Sequence, residues 1–71
     1  MDLPTALAHL AEAEQHIALG ERHIAHQIEI IDALGHSGHP TELATQVLDT
    51  YRELRITHLM HRDRIRKELE K

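Results

Sequence analysis

The sequence predicts an all-α fold: an antiparallel two-helix hairpin that dimerises into a four-helix bundle. Three observations carry that expectation. Leu3, Leu10, Ile17, Ile24 and Ile31 recur at intervals of seven, which aligns them on one stripe of a helix. A single cluster of helix-breaking residues, Gly35-His36-Ser37-Gly38-His39-Pro40, divides the chain near its middle. Apolar side chains remain after the two halves are paired, and two helices alone cannot enclose a core.

The first helix is expected over residues 3–34. Asp2 can cap it, and Pro4 is tolerated in its first turn. Its most regular stretch is a heptad written nearly twice: Glu14, His16, Ile17 and Ala18 return as Glu21, His23, Ile24 and Ala25. With the leucine and isoleucine row as one side of the seam, Leu7, Glu14, Glu21 and Ile28 form the companion row. Two carboxylates on an apolar seam require partners opposite. Ala6, Ala13 and Gly20 flank the seam on one side and Ala11, Ala18 and Ala25 on the other, so another helix can approach closely. Gly20 costs about 1 kcal/mol of helix propensity relative to Ala. It is expected to relieve a close contact or to mark a bend.

The turn is expected over residues 35–39. Gly35 is placed to stop the first helix, and Pro40 to start the second, with Glu42 near the positive end of its dipole. So short a connection makes the helices antiparallel neighbours.

The second helix is expected over residues 40–69. Its seam reads Ala44, Val47, Tyr51, Leu54, His58, His61, Ile65, then Glu68 or Leu69. Folding at Ser37–Gly38 places Ile28 opposite Val47, Ile24 opposite Tyr51, Glu21 opposite Leu54, Ile17 opposite His58, and Glu14 opposite His61. Leu19, Ile30, Leu34 and Leu43 fall off this seam, as do Leu48, Ile56, Leu59 and Met60. Of these, Leu19, Ile30, Leu48, Ile56, Leu59 and Met60 are the expected dimer interface.

Composition narrows the function classes. The 71 residues include one Tyr and no Phe, Trp or Cys. The core is therefore small, with neither a disulfide staple nor a thiolate metal site, and such chains usually oligomerise. No basic segment precedes an apolar one at Met1-Asp2-Leu3-Pro4, and no apolar run is long enough to span a membrane. A soluble cytoplasmic protein with no membrane partner is expected. The net charge of −4 argues against nucleic acid. Arg62, Arg64, Arg66 and Lys67 alternate with Asp63, Glu68 and Glu70 at i,i+4 spacing, which reads as a solvated face.

The eight histidines are the unusual feature. His58 and His61, at i,i+3, face Glu14 and Glu21 in the expected register. One reading is a buried Glu14–His61 hydrogen-bonded layer that fixes register. The other is a divalent transition-metal site using Glu14, Glu21, His58 and His61, although the Glu-x-x-His motif of di-metal bundles does not occur. His9, His16 and His23 form a second stripe, about 10 Å from one another, and read as boundary residues beside the seam. His36 and His39 in the turn can take up a metal adventitiously. A phospho-accepting histidine is disfavoured because no Pro follows His61-Arg62-Asp63-Arg64-Ile65. No nucleophile elbow or phosphate loop is present, so neither catalysis nor a cofactor is expected.

Gly20-Glu21-Arg22-His23-Ile24-Ala25, the Gly38-His39-x-Thr41 turn and His61-Arg62-Asp63-Arg64-Ile65 resemble a group of short bacterial helical-hairpin proteins of unknown function. Pro40 departs from the acidic residue usual between His39 and Thr41. The resemblance implies a hairpin and no activity. The leading expectation is a small non-catalytic assembly module. The alternatives are a metal-binding bundle and an adaptor hairpin that binds a helix of another protein.

Overall fold

A computed structural model describes residues 2–70 as two helices, α1 (Leu3–His36) and α2 (Glu42–Leu69), packed against each other as a hairpin. α1 has 34 residues, which at 1.5 Å per residue accounts for a rod 53 Å long and 14 × 13 Å across. No helix among the described residues is long and apolar enough to cross a membrane.

α1 starts after Asp2, whose backbone is extended and whose carbonyl accepts the Ala6 N–H at 3.0 Å. The Asp2 carboxylate makes no capping hydrogen bond, but the neighbouring Thr5 hydroxyl lowers its pKa below the usual carboxylate value of 3.8. The helix does not stop at Gly35. It runs through His36 to a C-cap at Ser37, and Gly38 takes the left-handed conformation with φ 75°. The His39 N–H donates to the Leu34 carbonyl at 2.9 Å and the Gly38 N–H to the Gly35 carbonyl at 3.2 Å. That pair of bonds is a Schellman closure, which satisfies carbonyls the helix end would leave bare. Pro40 lies outside α2, whose N-cap is Thr41; the Thr41 carbonyl accepts the Thr45 N–H at 2.9 Å.

The helices meet along two heptad rows each. In α1 these are Ala6, Ala13, Gly20, Gln27, Leu34 and Leu10, Ile17, Ile24, Ile31. In α2 and its N-cap they are Thr41, Leu48, Arg55, Arg62, Leu69 and Ala44, Tyr51, His58, Ile65. Every member except Arg55 is buried or half-buried, and among the described residues only Ile30 and Leu59 are half-buried outside these rows. One expected row in each helix is therefore in the seam, and the other is not. Leu7, Glu14, Glu21 and Ile28 are exposed, as are Val47, Leu54, His61 and Glu68. Each helix is turned by about 50°, half the angle between successive residues, from the expected orientation. The small row of Ala6, Ala13 and Gly20, expected to flank the seam, lies within it. Ala6 and Ala13, 4% and 3% exposed, are enclosed there, whereas Gly20 has open space around it. Leu48, expected at a subunit interface, is only 6% exposed and belongs to the hairpin core.

Candidate functional site

The rotation of the helices decides which side chains share a side of the rod. On one side, the Glu14–Glu21 row of α1 adjoins arginines of α2. The Arg55 Nε lies 2.7 Å from the Glu21 carboxylate in an ion pair, and an Arg66 terminal nitrogen donates to Glu14 at 3.4 Å. All four side chains are roughly half exposed, so each pair contributes little, on the order of 0.2–1 kcal/mol.

On the other side, the His9, His16, His23, Ile30 row of α1 adjoins the Val47, Leu54, His61, Glu68 row of α2. At its centre is a groove of about 350 Å³, lined by His16, Leu19, Gly20 and His23 from α1 and by Tyr51, Leu54, Arg55 and His58 from α2. Two ring pairs bridge the helices there, a heptad apart. His16 and His58 have centroids 5.6 Å apart and are tilted by 42°. His23 and Tyr51 are also 5.6 Å apart but stacked at 27°. The Nδ1 of His58 is enclosed and has no hydrogen-bond partner. Towards the open end of the hairpin, His9, Glu12, Ala13, His16 and His61 line a smaller depression of about 210 Å³.

Glu14 and His61, expected to form one buried layer, are not brought together. Glu14 is held by Arg66 on one side, while His61 lines the depression with His9 on the other. The quartet of Glu14, Glu21, His58 and His61 is divided in the same way, with Glu21 held by Arg55. Among the described residues no three or more His, Asp or Glu converge closely enough to hold a metal ion. Of the side chains expected at a dimer interface, Leu19 lines the groove, Ile30 continues the histidine row, and Leu48 is in the core. Ile56 and Met60 are 58% and 60% exposed.

Three residues that matter here were missed in the sequence. Gln27 is buried in the seam, where its Nε2 donates to the Ala44 carbonyl at 2.9 Å. Its spacing of seven from Gly20 carried the signal. Arg55 and Arg66 partner the two seam-edge carboxylates, and a rotated register was needed to find them.

The chain matches no protein-family model, no curated protein and no solved structure against which it was compared.

Proposed function

We propose that the chain is a small non-catalytic assembly module whose hairpins pair into a homodimeric four-helix bundle through the histidine-lined side. The supporting observation is unspent surface. The hairpin has an accessible surface of 5466 Å² for 8.2 kDa, whereas a compact monomer of that mass exposes about 4,500 Å². The surplus is close to the roughly 800 Å² that each partner contributes to a stable interface. The radius of gyration points the same way, at 16.3 Å against about 11 Å for a compact domain of this length.

Chemistry favours the histidine-lined side as the covered one. Leu19, Leu54 and Val47 are each 41–48% exposed on or beside it. The charged group lining its central groove is Arg55, which Glu21 already engages. The opposite side carries the Arg55–Glu21 and Arg66–Glu14 ion pairs, whose desolvation on burial opposes association. Light scattering between low-micromolar and millimolar concentrations, with a parallel melting series, tests the reading. A dimer whose melting temperature rises with concentration is expected. A monomer throughout, melting at one temperature, overturns it.

A further inference from the structure

We propose that mild acid releases the dimer, through protonation of His23 and His58 in the groove that the second copy covers. The inference rests on the assembly reading and adds to it a condition under which the hairpins part.

The groove offers no counterion to a charged imidazole. Its lining supplies His16 and His23 from α1 and Tyr51, Arg55 and His58 from α2, with no carboxylate among them. Glu21 is paired with Arg55 on the opposite side of the rod. The neighbours one turn on, His26 from His23 and Arg62 from His58, bring positive charge only, and Asp63 is held by Arg62. The Nδ1 of His58 is enclosed and has no hydrogen-bond partner. A charged imidazole carries a proton on both ring nitrogens, so charging His58 leaves a buried donor without an acceptor. Its ring is 5.6 Å from that of His16, inside the distance over which salt screens two charges. His23 stacks on Tyr51, which is neutral and gives no charge in return. The outer histidines differ: His9 and His61 share their depressions with Glu12 and Glu68. His16 stands between, lining both the groove and the depression that holds Glu12.

Covering the groove removes the water that solvates a charged imidazole in the free hairpin. A twofold interface brings the same patch of both copies together, so the penalty applies twice. An imidazole that is neutral in the dimer and free to charge in the monomer favours the dimer above its ordinary pKa of about 6.5. Below that value it favours the monomer. Net charge acts the other way. The chain carries −4 at pH 7 and has an isoelectric point of about 6.0, so mild acid weakens the repulsion between copies. A dimer that loosens over this range therefore reports the groove and not the overall charge.

The test is sedimentation equilibrium of the full chain at about pH 8 and about pH 6, with circular dichroism on the same samples. Each ordinary imidazole freed on dissociation contributes about fourfold over that interval, and each copy covers two. The dissociation constant should rise at least tenfold at the lower pH while the helical signal holds. His23→Gln puts a neutral helix former at an exposed position, and His58→Leu an apolar side chain on the seam, so the double variant should fold. It should lose most of the pH dependence, and His23→Gln alone about half of it on a logarithmic scale. The pair His9→Gln, His61→Gln should keep that dependence. An unchanged or tighter dimer at the lower pH overturns the inference and leaves the assembly reading in place. So does a pH dependence that the double variant retains, or helix loss that precedes dissociation. A monomer at the higher pH overturns the assembly reading, and this inference with it.

Discussion

Gln27 is the polar side chain that the described residues bury, and its energetics turn on what its partner keeps without it. Ala44 lies inside α2, where a carbonyl already accepts an intrahelical N–H. Gln27→Leu therefore strands no acceptor and adds apolar contact, and urea unfolding should find it neutral or stabilising. Gln27→Ala loses the hydrogen bond and leaves space behind, at a cost of about 1–2 kcal/mol. A larger loss for Leu than for Ala would show that the amide holds the register through its hydrogen bond. Asp2 acts at the same scale through charge. Its folded pKa is lowered, so its contribution is present above the ordinary value of 3.8 and fades as pH falls through the folded one. Asp2→Ala should lower the melting temperature at about pH 6, and the difference should narrow as pH falls below 3.8 and close beneath the folded pKa. A difference that is independent of pH would place the effect in helix propensity instead.

At the scale of the element, the turn is built around one glycine. Gly38 holds φ 75°, which an L side chain adopts at a cost of about 1–2 kcal/mol. Gly38→Ala should destabilise by about that amount. Gly35 is inside α1, with open space where a Cβ would project, so Gly35→Ala should gain up to about 1 kcal/mol from helix propensity. Thermal melts of the two variants should move in opposite directions. The same sign for both would mean that the Schellman closure does not form in solution. Gly20 has equally open surroundings within the chain, so it relieves no close contact there. The two helices and the break between them were legible because heptad spacing and a Gly-Ser-Gly-Pro cluster are local signals. The end of α1 was misread by two residues, because of two nearby glycines either can take the left-handed position, and chain geometry alone chooses.

The whole molecule is a rod with more apolar surface than its seam consumes. If a second copy covers the histidine-lined side, a charge placed there should block association and spare the fold. Leu54→Lys replaces a side chain 48% exposed beside the groove, and sedimentation equilibrium should show dimerisation weakened at least tenfold. Ile56→Lys, on the outward surface and 58% exposed, should leave association unchanged. Reversed results would move the interface to the back of α2.

The sequence by itself determined two helices, the place where the chain reverses, the antiparallel arrangement and one seam row in each helix. All of these follow from spacing along a single chain and from turn chemistry. Only the tertiary structure decided the second row. Ranking rows by hydrophobicity favours Leu7 and Ile28 over Ala6 and Ala13, yet close-packed helices gain more from backbones that can approach than from one larger side chain at either end. That choice turned Glu14 towards Arg66 and Glu21 towards Arg55, and it set His16 beside His58. The rotation of a helix about its own axis leaves its heptad spacing unchanged, so periodicity cannot report it. It is fixed by contacts between residues far apart in the chain, and those exist only after the hairpin has closed.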